Sequence, residues 1–419
     1  MANIDLRYGH SSISFDYDED RFKVLARSDD KPPLSDEQVG VKIDAPINSQ
    51  KLEDIVAAGE TVLIVVPDAT RQTACGQIVN LLVRRLIANG TNAFDIRIIF
   101  ATGIHRPVTE VEKASILTPF IVQRIKTLDH NPRDLVQIVR LGETADGFPI
   151  ELNRALIEHD KVILIGGVSF HYFAGFTGGR KLVCPGLAST RTITATHKLA
   201  FDCTKMTRRD GIGTGLLDGN VVHEAFEEIV KRIAPAFAIN TIVNDAGEAV
   251  DLFCGDWISS HRAACTVYER DHSIQLSEQG DVVVVTCGGF PHDINMIQAH
   301  KALEAASKAC KPGGTILLLA ECVDGAGRGD FLDWFDASDS TALAEKLCEN
   351  YQVNGQTAWS LLQKTERFDV RIMTKMSSSD IQRMRFIAMD SLDDSIRKAG
   401  PDRTGYIITN GAKLNIKIS

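Results

Sequence analysis

The sequence predicts an α/β protein of two α/β domains with largely parallel sheets and a cleft between them, and three observations carry that expectation. Short apolar runs rich in β-branched residues recur without alternation, which is how strands buried on both faces read. Between them lie stretches whose apolar residues return at three- and four-residue steps, the period of a helix with one buried face. The chain has 419 residues and is 44% hydrophobic, enough for more than one core of ordinary domain size.

Taken in order, TVLIVV (61–66) is the first such run, followed by helical GQIVNLLVRRLIANG (76–90) and a second run, IRIIFA (96–101). KVILIG (161–166) is the third, and STRTITATHKLAFD (189–202) opens with hydroxyl residues suited to start a helix. VVHEAFEEIVKRIA (221–234) has helical spacing and AINTIV (238–243) reads as a strand. The polar stretch YERDHSIQLSEQGD (268–281) then marks a boundary near residue 275, dividing 1–275 from 276–419. Beyond it come DVVVVT (281–286), helical NMIQAHKALEAASKAC (295–310), TILLLA (315–320), DVRIMT (369–374) and GYIIT (405–409). The last fourteen or so residues are free to pack back on the first domain. Strand alternates with helix throughout, the pattern of parallel sheets.

Composition narrows the function. The formal net charge is −9 and no basic block accumulates, so a phosphate-contacting surface for nucleic acid is not expected and the partner is a small molecule. The N-terminus is acidic where a signal peptide has its apolar core, and no run approaches the ~18 apolar residues of a membrane span. A cytoplasmic protein without a membrane partner is therefore expected, and nothing in the sequence sets an oligomeric state. The nine cysteines stand singly with no CxxC pair, which reads as nine buried thiols.

In open parallel sheets ligands bind outside the carboxyl ends of the strands, so the residues that follow each run are the informative ones. Asp68, Ala69, Thr70 and Arg71 follow the first; Thr102, Gly103, His105 and Arg106 the second; Ser169 and His171 the third. After DVVVVT come Gly288, Gly289, Pro291, His292 and Asp293, then a helix with Gln298 and Lys301 on one face. A carboxylate, two imidazoles and several cations suit an anionic substrate. Each also has a plainer reading: Asp68 and Thr70 as caps of the helix near 73–89, Asp293 as a cap of the later helix, the cations as surface residues.

HYFAGFTGGRKLVCPG (171–186) resembles a phosphate loop but fails its test, because Arg180 stands where the final glycine belongs and Leu182 where the hydroxyl belongs. No G-x-G-x-x-G follows a strand either, which disfavours a standard dinucleotide fold. Lys181 in such a loop is placed to bond covalently to a carbonyl or cofactor, or is an ordinary surface lysine. His197, alone on its helix, lacks the companions a metal site normally needs.

Together PDATR (67–71), ATGIHRP (101–107), the 171–186 loop, TATHK (194–198) and GGFPHDINMIQAHKAL (288–303) resemble the nickel-dependent lactate racemase family, in its motif order. The resemblance implies a nickel-pincer nucleotide, the pyridinium-3,5-bisthiocarboxylic acid mononucleotide of Ni(II), carried with the catalytic histidines by the first domain while the second closes the cleft. Lys181 matches the lysine that tethers the cofactor through a thioamide. His197 matches the single protein ligand of the metal, the cofactor supplying three donors, a set that suits square-planar Ni(II). His105 and His171 match the two catalytic acid/base histidines. Asp68, Ala69, Thr70 and Arg71 match a cofactor-binding segment, with Arg71, Gln298 and Lys301 as substrate-binding residues.

The implied activity is inversion of C2 of a 2-hydroxy acid by reversible hydride transfer through a 2-keto acid. The position before Gln298, usually tyrosine in lactate racemases, is Ile297, which points to a substrate other than, or not limited to, lactate. Arg106, Arg180 and His292 would then meet a second carboxylate or hydroxyls, or else serve the fold. The alternatives are a non-catalytic nickel-cofactor carrier and a Schiff-base lyase using Lys181.

Overall fold

The computed structural model describes residues 1–27, 31–400 and 402–419. The chain divides into two compact units, one of Asp29–Ala200 with Asp210–Arg270, the other of Met1–Ser28, Phe201–Arg209 and Asp271–Ser419.

The larger unit is built on six strands in the order Ala249–Gly255, Phe237–Val243, Lys161–Gly167, Val62–Pro67, Ile96–Ala101 and Lys126–Asp129. All neighbours run parallel except Ala249–Gly255, which pairs antiparallel with Phe237–Val243. Val62–Pro67 is buried at every position because the pleat sends alternate residues into two different cores. Val62, Ile64 and Val66 join the core under helix Cys75–Ala88, while Leu63 and Val65 join the one that receives Leu182, Val183 and Phe226. A strand that faces two cores has no polar side, which is why these runs show no alternation.

The smaller unit also has six strands, all parallel, in the order Ile387–Ala388, Asp369–Met373, Cys310–Leu319, Gly280–Thr286, Gly405–Ile408 and Phe22–Leu25. Val283 and Val285 face one core and Val282 and Val284 the other. An antiparallel hairpin, Ala2–Tyr8 with Ser11–Tyr17, packs Leu6 and Phe15 into the second of these cores.

This division differs from a split of 1–275 and 276–419. Phe22–Leu25 pairs with Gly405–Ile408, so the N-terminal residues belong with the C-terminal sheet, a contact that chain order does not reveal. The excursion Phe201–Arg209 joins the same unit, where Phe201 meets Trp359 edge to face at 4.9 Å and Arg208 Nη1 donates to Glu304 Oε1 at 2.7 Å. The polar stretch near 275 is partly ordered: Ser273–Leu276 pairs in parallel with Asn415–Ile418. The last residues thus pair within the C-terminal unit.

The nine cysteines are not all thiols. Cys203 and Cys348 form a disulfide across a separation of 145 residues, while Cys75, Cys184, Cys254, Cys265, Cys287, Cys310 and Cys322 are free and buried. Among the described residues, no helix is long and apolar enough to cross a membrane.

Candidate active site

Strands Lys161–Gly167, Val62–Pro67 and Ile96–Ala101 are adjacent and parallel, so the loops that leave their carboxyl ends emerge side by side. After Pro67 the chain turns back at once. The Asp68 carboxylate accepts the Thr70 N–H at 3.0 Å through Oδ1, and its Oδ2 lies 2.6 Å from His105 Nδ1. Asp68 is buried, which raises its pKa, but the His105 contact, the Thr70 hydroxyl and the nearby Arg71 charge outweigh burial and hold it below its usual value. An ionised carboxylate can only accept, so His105 Nδ1 carries a proton and donates; in the neutral ring the lone pair is then on Nε2. That is the base form of a histidine held in orientation by a carboxylate. Burial pulls the Arg71 guanidinium down and Asp68 opposes it.

The capping role weighed for Asp68 and Thr70 is not the one they play. Helix Cys75–Ala88 starts from Ala74, in the left-handed region at φ 53° and without a side-chain cap, and Asp68 instead spends its oxygens on Thr70 and His105.

His171 sits in a two-residue strand, Phe170–His171, that folds back on Gly175–Phe176. The base of this hairpin is closed by Ser169 and Thr177: the Thr177 N–H donates to the Ser169 carbonyl at 2.8 Å, and the Ser169 N–H to Thr177 Oγ1 at 2.8 Å. Inside it, the Ala174 N–H donates to His171 Nδ1 at 3.3 Å. A nitrogen that accepts from an amide carries no proton, so this contact is satisfied by the Nε2–H tautomer of a neutral His171. His105 and His171 thus hold opposite tautomers.

Lys181 lies in a single turn, Gly179–Leu182, with its Nζ 5.5 Å from the centre of the Phe173 ring and 5.8 Å from that of Phe226. His197 is buried on helix Thr190–Lys198, which Ser189 caps through the Thr192 N–H. His197 Nδ1–H donates to the Ile193 carbonyl at 2.8 Å, and burial, then the Lys181 charge, pull its pKa down to about 3. The ring is therefore neutral at ordinary pH, with its lone pair on Nε2, the state a metal requires. Its centroid is 5.1 Å from that of Phe173, and the Phe173 ring also meets His171 at 4.4 Å. One phenyl ring thus gathers the loop histidine, the lysine and the helical histidine.

Gln298 and Lys301 belong to the other unit, on helix Met296–Ala309, and Lys301 Nζ donates to Gln298 Oε1. The cap of that helix is Asn295, not Asp293. Asp293 instead accepts the Gly9 N–H at 2.7 Å and the Glu321 N–H at 3.2 Å, tying the N-terminal hairpin to the sheet. Ile297 packs against the core of its unit. Arg106 pairs with Glu112 at 2.8 Å on the surface, and Arg180 is buried with Nη2 donating to the Ala174 carbonyl at 2.7 Å. Both are thereby engaged by the fold. His292 lies in the turn after Gly289.

Sequence reasoning missed Phe173, Phe226 and His261. An aromatic inside a glycine loop was the available signal for Phe173; the other two are brought in only by tertiary packing. Among the described residues no three His, Cys, Asp or Glu side chains group as a metal site. His197 nonetheless has the chemistry of a single donor: neutral, oriented by a carbonyl, and next to a lysine able to anchor a ligand that brings donors of its own.

Residues 8–208 match the family model of the lactate racemase N-terminal domain, and 276–413 that of the lactate racemase C-terminal domain. The chain is 30% identical over 342 residues to a lactate racemase of Thermoanaerobacterium thermosaccharolyticum, spanning 81% of this chain and 79% of that protein. It is 32% identical over 344 residues to a lactate racemase of Lactiplantibacillus plantarum, spanning 81% and 80% respectively. The solved lactate racemase apoprotein from T. thermosaccharolyticum superposes with a TM-score of 0.90 at 26% identity, covering 99% of this chain and all 100% of that one. A Thermotoga maritima protein shares the fold, with a TM-score of 0.71 at 20% identity over 94% of this chain and 100% of that one.

Proposed function

The chain belongs to the lactate racemase family, and from that membership we propose that it is an isomerase that inverts C2 of a small 2-hydroxy acid with a nickel-pincer nucleotide as cofactor. The observation that carries this reading is the grouping of Lys181 and neutral His197 on one phenyl ring, a covalent anchor beside a metal donor. In this reading Lys181 would tether the cofactor, His197 Nε2 would be the protein donor to nickel, and Asp68, Ala69, Thr70 and Arg71 would contact the cofactor.

When bound, the cofactor supplies the hydride acceptor that lets C2 shed its hydrogen with the bonding electrons, since loss as a proton next to a carboxylate is beyond any side-chain base. The protein's part is the proton of the hydroxyl. His105 Nε2, its lone pair exposed by the Asp68 contact, takes that proton from one enantiomer as the carbonyl forms. The 2-keto acid is planar at C2, so hydrogen can return to either face. His171 would serve the oxygen in the opposite orientation: carrying a second proton it would return one to the carbonyl oxygen, and as the neutral ring it would take one from the other enantiomer. The roles reverse for the other enantiomer, and for this reason two histidines are needed. Arg71 holds the carboxylate against loss of the keto acid, and Gln298 with Lys301 contributes an amide and a cation to substrate binding. Ile297 removes the hydroxyl of the usual tyrosine, so the preferred substrate is a 2-hydroxy acid other than, or in addition to, lactate.

The test is a panel of chiral 2-hydroxy acids incubated with cofactor-loaded protein, read by chiral chromatography, alongside intact mass and nickel content. Inversion of at least one acid, a mass increment abolished in Lys181→Ala and nickel lost in His197→Ala are expected. Inversion that survives nickel removal and Lys181→Ala would overturn the assignment.

A further inference from the structure

Arg180 and Lys181 are neighbours on one tight turn, and residues so placed point in divergent directions. Lys181 reaches the aromatic rings. Arg180 goes the other way, into the interior, where it is 1% exposed and among the largest fully buried side chains of the chain. A guanidinium is permanently charged, presents five N–H donors in a rigid plane and is costly to bury without acceptors. Its Nη2 donates to the Ala174 carbonyl at 2.7 Å, and its Nη1 lies 3.0 Å from His261 Nε2. Burial and then the Arg180 charge push His261 well below its usual pKa, so the two meet as cation and neutral ring.

Ala174 is the residue whose own N–H points at His171 Nδ1. It is therefore held on both sides: its carbonyl accepts from Arg180 and from the Phe176 N–H at 2.9 Å, and its amide donates to the histidine. The turn itself is wedged in place, since Gly179 lies in the left-handed region at φ 49° and a Cβ there would stand 2.7 Å from His261 Cδ2.

We propose that Arg180 is a positioning residue: by clamping the Ala174 carbonyl it keeps the Ala174 N–H on His171 Nδ1, and so keeps the His171 proton on Nε2. One side chain would thereby set the protonation geometry of the loop histidine and brace the turn that presents Lys181. The inference rests on the functional reading above for its importance, but its content is a tautomer, which is measurable without cofactor or substrate.

The experiment is multiple-bond ¹H–¹⁵N NMR of the histidine rings in full-length protein labelled at histidine nitrogen, comparing the parent with Arg180→Met and Arg180→Lys, with thermal midpoints as the control for folding. In the parent, His171 should show the Nε2–H pattern. Arg180→Met, which removes every donor, should convert it to a mixture with a substantial Nδ1–H fraction. Arg180→Lys, which keeps a charge and an ammonium's donors without the planar fork, should fall between the two. A parent carrying the proton on Nδ1 overturns the proposal. So does a parent-like His171 pattern in folded Arg180→Met, or in Arg180→Lys if only that variant folds. A missing adduct on Lys181 would sink the cofactor assignment and leave this inference untouched.

Discussion

The two proposed acid/base histidines live in opposite surroundings. His105 stands at a strand end with its side chain 45% exposed and is oriented by a buried carboxylate; His171 is buried in a hairpin and oriented by a backbone amide. A carboxylate accepts a proton's bond and an amide donates one, so the same side chain is set in two tautomers by two partners of opposite polarity. A pair of histidines with mirrored duties does not need mirrored scaffolding.

The strongest way to break this contrast is at Asp68. In Asp68→Asn the amide can present either an oxygen or an N–H to His105, which frees the ring to turn over its tautomer. Inversion per cofactor-loaded molecule should fall by about 10²- to 10⁴-fold, the worth of a positioned general base; an unchanged rate in the chiral assay would remove Asp68 from the mechanism.

Next in size is the disulfide, which follows directly on the segment that carries His197. Closing a loop of 145 residues is worth roughly 5 kcal/mol if it acts on the unfolded chain. Cys203→Ser with Cys348→Ser should lower the denaturation midpoint accordingly, and alkylation under denaturing, non-reducing conditions should leave two cysteines of the parent unmodified. Because cytosolic thiols are normally kept reduced, the thiol count of protein taken straight from cells also tests the expected cytoplasmic location.

Acid sharpens the contrast. His130, whose carbonyl accepts the Thr102 hydroxyl in the turn leading to His105, is pulled down to about 4 by burial, with its contact to the Ala188 carbonyl opposing. A histidine whose folded pKa is depressed gains protons first in the unfolded chain, so its stabilisation is full above about 6.5 and is lost as pH falls towards 4. At pH 5 that amounts to about 2 kcal/mol. His300 in the smaller unit, pulled down to about 3 by burial and then Lys301, behaves in the same direction. Thermal midpoints measured from pH 7.5 to 5 should fall; a flat profile would show that these rings are solvated.

The smallest effect is expected at Arg106, next to His105. Its pairing with Glu112 is exposed, so Arg106→Ala should change stability by no more than about 1 kcal/mol. A large loss of inversion in that variant would move Arg106 from the surface into substrate binding.

The sheets were legible because a strand between two cores leaves an unbroken apolar run, as at 62–66 and 282–285. The N-terminal hairpin was not, because one of its faces is solvated and its buried residues, Leu6 and Phe15, stand isolated among polar ones. Motif order pointed to His171 and Lys181 in the glycine loop, yet not to Phe173 or to the tautomer of the histidine. The tautomer depends on Ala174, a residue with no polar side chain, placed by a hairpin two residues deep. Asp68 and Asp293 both read as helix caps, since an aspartate before a helix fits that role locally; only the fold shows the first turned to His105 and the second to Gly9.

The pairing of Phe22–Leu25 with Gly405–Ile408 has a consequence in time. All segments of the larger unit lie before residue 271, whereas the smaller unit needs both ends of the chain. On a ribosome adding about 5–20 residues per second, the first strands wait roughly 20 to 80 s for their partner, again at that rate. During synthesis the larger unit can close first, and strand Phe22–Leu25 stays without its partner until residues 405–408 have been made.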